Sequence, residues 1–301
     1  MKLGFVVLQI IVFIALSPLV TGIIAKVKNN LRMKKGPPVL QPYYNMFKLL
    51  GKEVILPENS SWIFKAAPYA ALASAVTAAV IMIPIMPQGV PAYAGDFFAL
   101  IFVLAFGRFF MALAGLDTGS AFGGMGSSRE MFISALVEPA ALLALFAVSL
   151  SSGSTAPASV ASSAIHFAPV IAGVALFIVM LAETSRIPVD NRETHLELTM
   201  IHEAMVLEYS GRNLALIEAA SHIKQLVFLT IIANTALPTA DLASGGIHAA
   251  GIYMLKVTAL AGAVAIVEVS TAKLRLFRVV DLLAFGFVMS LLAVIVSAMG
   301  M

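Results

Sequence analysis

The chain has 301 residues, of which 60% are apolar and 12% are Asp, Glu, Lys or Arg, against roughly 45–50% and about 25% in a soluble globular domain. That balance excludes a soluble enzyme, and the wealth of apolar residues without a strict Gly period excludes a disordered or collagen-like chain. The net charge of +3, from 19 basic and 16 acidic residues, carries no nucleic-acid signature, and with no cysteine the chain has no thiolate for an iron–sulfur cluster, a Cys-ligated nickel or zinc ion, or a disulfide.

A helix needs about 20 mainly apolar residues to cross the hydrocarbon core of a bilayer. The sequence divides into eight such stretches, at 3–25, 63–86, 97–114, 131–151, 165–181, 214–237, 249–269 and 281–299. The expected fold class is therefore an all-α integral membrane protein, one transmembrane domain over 1–301 with two long connections, 26–62 and 184–213. The first stretch is too long for the apolar part of a secretory signal and has no A-x-A-like cleavage site before Lys26, so it reads as a retained helix. Fourteen of the 19 basic residues fall in the first, third, fifth and seventh connections, and the even-numbered connections hold none. Because Lys and Arg in short loops stay on the cytoplasmic side, this alternation predicts a multi-pass protein of a prokaryotic cytoplasmic membrane with both termini outside.

The first connection begins basic, turns at Gly36-Pro37-Pro38, and continues with Leu40, Tyr43, Tyr44, Phe47 and Leu50 at helix-like spacing opposite Lys48 and Lys52. That pattern predicts a short amphipathic helix at the membrane surface, with a solvated basic loop as the competing reading. The third connection, from Gly115 to Met131, carries Gly119, Gly123, Gly124 and Gly126 among Ser120, Ser127 and Ser128, without the Gly-Lys-Ser/Thr ending of a phosphate-binding loop. It reads as a tight turn packed against another protein. Arg32, Lys34 and Lys35 on the first connection, Arg129 on the third and Arg186 on the fifth present cations where an acidic partner could dock. The fifth connection holds six acids, Glu183, Asp190, Glu193, Glu197, Glu203 and Glu208, against Arg186 and Arg192. They suggest an acidic vestibule facing the membrane, or else a solvated acidic face. His195, Glu197, His202 and Glu203 lack the H-E-x-x-H spacing of a metal site, so no metal is expected.

Ionisable groups inside hydrocarbon cost at least about 2.5 kcal/mol each on the insertion scale. Here they are Arg108, Glu138, Glu183, Glu218, His222, Lys224, Lys256 and Glu268. Glu218 and His222, four apart, share a helical face and could exchange a proton directly or through one water. As a set, the acids with His222, Lys224 and Lys256 read as a proton relay. The structural alternative pairs Arg108 with Glu138 across neighbouring helices and Lys256 with Glu218, and leaves Glu268 at a helix end.

Three motifs then carry a resemblance. Arg32, Gly36-Pro37, Leu40-Gln41, Tyr43 and Lys48-Leu49-Leu50 resemble the first loop of the membrane subunit called 1 or H in respiratory complex I and its hydrogenase relatives. Glu183, Arg186, Pro188, Asp190, Glu193 and Glu197, followed by Glu208-Tyr209-Ser210-Gly211, resemble that family's quinone-chamber loop. Gly115-Leu116-Asp117-Thr118-Gly119-Ser120 with Gly126-Ser127-Ser128-Arg129-Glu130 looks more specifically like energy-converting nickel–iron hydrogenases of the formate hydrogenlyase and hydrogenase-4 type.

The resemblance spans essentially the whole chain. It implies a subunit that anchors a peripheral arm of hydrogenase-like large and small subunits, which hold the iron–sulfur clusters and the nickel–iron site. It also implies antiporter-like membrane neighbours, docking through the first, third and fifth connections, and coupling of electron transfer to proton or sodium movement. Val189 stands where an aromatic residue usually follows Pro188, and the stretch from Asp190 to Glu208 is longer than in complex I, which puts a quinone headgroup in doubt. The alternatives are the quinone-reducing complex of the same family, a stand-alone ion transporter, for which no internal repeat is found, and a passive anchor. No activity is expected of this chain alone.

Overall fold

The computed structural model describes residues 2–82, 95–161, 167–191, 200–236 and 247–300. Among them are eleven helices and no strand: α1 (Lys2–Leu31), α2 (Gln41–Leu50), α3 (Trp62–Met82), α4 (Phe97–Asp117), α5 (Ala121–Ser152), α6 (Pro157–Ala161), α7 (Phe167–Glu183), α8 (His202–Val206), α9 (Gly211–Thr235), α10 (Ile247–Ser270) and α11 (Leu276–Ala298). Seven of them, α1, α3, α4, α5, α9, α10 and α11, are long and apolar enough to cross a membrane, and α7 is a shorter apolar helix of 17 residues. These eight correspond to the eight expected stretches. The expected span ends at 83–86, 165–166 and 237 lie outside the described residues.

The bundle is built on α5, which packs against α4, α7 and α11, while α3 packs on α4 and α9, and α1 on α10 and α9. Its interior is filled by side chains such as Leu100, Leu145, Leu176 and Phe228, all fully buried. The amphipathic helix of the first connection forms as α2, with Pro42 in its first turn, where a missing backbone N–H is harmless. Its Tyr43 hydroxyl donates to the Ala15 carbonyl of α1, while Tyr44 and Phe47 are left exposed.

The four odd-numbered connections meet at one end of the bundle. Asp117, closing α4, accepts from the backbone N–H of Ser61 at 2.7 Å and of Phe64 at 3.3 Å. Ile55 N–H donates to Ser210 Oγ at 2.8 Å, and Leu274 N–H donates to the Pro188 carbonyl at 2.9 Å. Tyr209 stacks on Phe64 with ring centroids 4.0 Å apart and donates its hydroxyl to the Phe64 carbonyl at 2.9 Å. Burial, helped by the Asp117 carboxylate, holds the Tyr209 phenol well above its ordinary pKa, so it remains a donor.

The third connection departs from expectation. Only Thr118, Gly119 and Ser120 form a turn, with Gly119 at φ +64, and the Gly/Ser run from Ala121 onward is the start of α5. Ser120 caps that helix by accepting from the Gly123 N–H at 3.1 Å. The glycines serve close approach instead of loop flexibility. A Cβ on Gly123 would lie 2.3 Å from the Gly115 carbonyl of α4, and one on Gly126 would lie 2.9 Å from Ala204 Cβ of α8. Small residues at such crossings let membrane helices pack backbone to backbone.

Gly123→Ala should therefore force α4 from α5 and lower thermal stability in detergent by about 1–3 kcal/mol. Gly124→Ala, where a Cβ meets nothing within 4 Å, should leave stability unchanged or raise it by about 0.5–1 kcal/mol. Equal melting of the two variants would refute the close-packing role.

Candidate functional site: a buried charge network between α4, α5, α7 and α9

Arg108 lies nine residues before the end of α4, and Glu130 lies nine residues after the start of α5, so the short turn between the helices sets them opposite each other. Arg108 is 8% exposed, and its guanidinium gathers three carboxylates. Its Nη1 donates to Glu138 Oε1 at 3.2 Å, its Nε lies 3.7 Å from Glu130 Oε1, and its Nη2 pairs with Glu183 Oε1. The second Glu183 oxygen lies 2.6 Å from Lys224 Nζ on α9. These pairs place three carboxylates and two cations in one chain of contacts across four helices. Arg108, Glu130, Glu183, His202, Ser221 and Lys224 together line a cavity of about 60 Å³, room for a few water molecules.

A second cluster sits beside the first. Glu268, near the end of α10 and 2% exposed, pairs with Arg186 Nη1 at 2.9 Å and Lys28 Nζ at 3.1 Å. Arg186 Nη2 donates to Gln225 Oε1 at 2.7 Å, and Thr21 of α1 donates its hydroxyl to the same Gln225 oxygen at 3.0 Å. Two pairs of close neighbours thus divide their work. Glu183 and Lys224 belong to the first cluster, whereas Arg186 and Gln225, just beyond them on the same segments, belong to the second.

Asp190 holds the segment that follows α7. Its Oδ1 accepts from Lys273 Nζ at 2.7 Å and from the Asn191 N–H at 2.8 Å, and its Oδ2 accepts from the N–H groups of Ile201 at 3.3 Å and His202 at 3.1 Å. At 2% exposure it is an internal clasp and not part of a solvated acidic surface.

Of the relay candidates, Glu138, Glu183 and Lys224 come together around Arg108, while Glu268 joins the second cluster. Glu218 and His222 are half-buried on α9 and Lys256 is buried on α10, and none of the three lines the cavity. Among the vestibule candidates Glu203 is half-buried on α8 and Glu208 is exposed, whereas Glu193 and Glu197 lie outside the described residues. Arg32, Lys34 and Lys35 are exposed just beyond α1. Arg186, expected on the docking surface, is turned inward because Glu268 needs a cation there. Arg129 sits in α5, not in a loop, and its Nη1 donates to the Met200 carbonyl at 2.9 Å.

Sequence reasoning missed Glu130, Lys28, Lys273 and Gln225 as members of these clusters. For Glu130 a signal existed, its symmetry with Arg108 about the turn, but it needed the true start of α5. Lys28 and Lys273 counted only towards orientation, since a basic residue at a helix end satisfies that rule whatever it touches.

Removing one member of a buried ion-pair set leaves uncompensated charge, at about 3–5 kcal/mol. Arg108→Met should destabilise the protein by that order, and adding Glu183→Gln should restore part of the loss. Thermal unfolding of the four members of this double-mutant cycle measures the coupling, and strictly additive effects would show that the two side chains do not interact.

The sequence matches the NADH dehydrogenase family over residues 3–299. It is 32% identical over 288 residues to formate hydrogenlyase subunit 4 of Escherichia coli (strain K12), covering 92% of each chain. It is 32% identical over 239 residues to hydrogenase-4 component C of the same organism, covering 78% of this chain and 75% of that one. It is 24% identical over 261 residues to the H subunit of the NADH-quinone oxidoreductase of Aquifex aeolicus (strain VF5), 77% of this chain and 76% of the other. The fold is shared with a chain of the membrane-bound sulfane sulfur reductase, an archaeal respiratory membrane complex, at a TM-score of 0.84, with 19% identity and coverage of 97% and 98%. Eight apolar helices, the buried Arg108 network and these matches along nearly the whole length lead to one assignment: the chain belongs to the NADH dehydrogenase family of membrane subunits, that of the complex I 1/H subunit and its hydrogenase relatives.

Proposed function

We propose that this protein is the membrane subunit of a respiratory-type hydrogenase complex, anchoring an iron–sulfur and nickel–iron arm and coupling that arm's electron transfer to proton or sodium movement. The observation that carries the coupling is the set of three carboxylates, Glu130, Glu138 and Glu183, held among the described residues by two cations, Arg108 and Lys224, with Glu130 and Glu183 buried on a cavity that admits water and Glu138 half-buried beside Arg108. One proton shared among the carboxylates balances the charge, and water in the cavity gives it a path between Glu130 and Glu183. Similarity to the formate hydrogenlyase and hydrogenase-4 subunits supports the hydrogenase branch. The metal centres then belong to cysteine-bearing partner subunits, since this chain contains no cysteine.

In this reading the end of the bundle where the basic connections meet faces the cytoplasm of a prokaryotic cell, and both termini lie outside. Arg32, Lys34 and Lys35 stand exposed there to receive an acidic partner, and antiporter-like membrane subunits are the lateral neighbours. Val189, at the position where the quinone-reducing relatives are expected to carry an aromatic ring, is 2% exposed within the apolar core, which argues against a quinone headgroup as the electron acceptor.

The test uses the intact complex in vesicles. Glu183→Gln and Glu138→Gln each remove one proton-binding group while keeping size and hydrogen-bonding capacity. Dye-linked turnover by the peripheral arm should survive in both, and ion-gradient formation per electron should fall severalfold. Normal assembly with the parent ratio of ions to electrons in both variants would make the carboxylates structural and the coupling reading wrong.

A further inference from the structure

His202 opens α8 and lines the same cavity as Glu130, Glu183, Arg108 and Lys224. Among the charged and titratable groups described along that lining, it is the one whose type exchanges protons near neutral pH. It stands at the end of the bundle where the odd-numbered connections meet, because α8 lies between the end of α7 and the start of α9 and packs on α5 and α4. Its backbone is pinned from two directions. Asp190, itself anchored by Lys273, accepts from the His202 N–H at 3.1 Å. From α5, Arg129 holds the Met200 carbonyl two residues earlier at 2.9 Å.

We propose that His202 is the proton-loading residue of this cavity, taking a proton from the aqueous phase at the basic end of the bundle and delivering it to Glu183 or Glu130, with Asp190, Lys273 and Arg129 as positioning residues. The inference rests on the coupling role given above to the carboxylate cluster. In the step, an N–H bond of the imidazolium breaks, its proton passes through cavity water to a carboxylate oxygen, and the neutral imidazole is reprotonated from bulk water. No electron moves and no further reactant is needed.

The charged surroundings suit a group that must both take up and release a proton. The lining that His202 shares carries both signs of charge, Glu183 on α7 and Glu130 on α5 with Arg108 on α4 and Lys224 on α9, while Glu203 follows it on α8 and Arg129 of α5 holds the Met200 carbonyl nearby. Asp190 is already occupied by Lys273 and backbone donors, so its part is to set position.

The test compares His202→Gln, His202→Ala and Glu183→Gln in the intact complex reconstituted in vesicles, with proton movement read by an internal pH dye. In His202→Gln, dye-linked turnover should stay at the parent level while proton movement falls about tenfold at pH 7.5 and the parent's inflection between pH 6 and 7.5 disappears. Added imidazole should restore proton movement in His202→Ala but not in Glu183→Gln, a rescue that a purely structural histidine would not show. Parent-like proton movement and pH profile in His202→Gln, with Glu183→Gln impaired, would overturn the loading role and leave the carboxylate relay standing. Parent-like movement in His202→Gln, Glu183→Gln and Glu138→Gln alike would overturn both, and sodium movement without proton uptake would overturn the loading role alone. Should His202→Ala fail to assemble, the pH profile of His202→Gln decides alone.

Discussion

A guanidinium placed in the middle of an apolar helix has to find its counter-charges on other helices, and much of this bundle is arranged to meet the demand of Arg108. The requirement joins α4 to α5 through Glu130 and Glu138 and to α7 through Glu183. Glu183 has two oxygens to satisfy, so it recruits Lys224 and brings α9 into the same set. Each charge is tolerable in hydrocarbon only because the next helix supplies its partner.

The two clusters are mechanically continuous. Glu183 and Arg186 lie within one turn at the end of α7, and Lys224 and Gln225 are consecutive on α9, so a small rotation of either segment changes both sets of contacts together. The Asp190 clasp sits at this junction. It ties the segment after α7 to Lys273 on one side and to the start of α8 on the other. The elements at the basic end of the bundle therefore carry inner residues that are already part of the charge network.

Packing and charge cooperate at the α4–α5 hairpin. Gly123 and Gly126 permit the backbone of α5 to touch α4 and α8, and Ser127 Oγ reinforces the contact by donating to the Ala112 carbonyl at 2.8 Å. Only with the helices this close does Arg108 come within reach of Glu130. A run of glycines and serines that composition assigns to a loop is in fact the helix start that sets the geometry of the ion pairs. Local propensity is a weak guide where tertiary packing rewards the absence of a side chain.

The sequence by itself determined the class and layout of the protein. Hydrocarbon thickness sets a length of apolar residues that can be counted, and the alternation of basic connections leaves one arrangement of eight helices. It also pointed to some of the buried ionisable groups, Arg108, Glu183, Lys256 and Glu268, because a charged residue within an apolar stretch has few other places to be, though not to Glu130, Lys28 or Asp190, and it carried the motifs by which the family is recognised. Only the tertiary structure decided who pairs with whom. Arg108 takes Glu130 and Glu183 as well as Glu138, Glu268 takes Lys28 and Arg186, and Asp190 takes Lys273, across separations of 22 to 240 residues. Ion pairing depends on the distance and rotation between helices, and helical period along one chain contains neither.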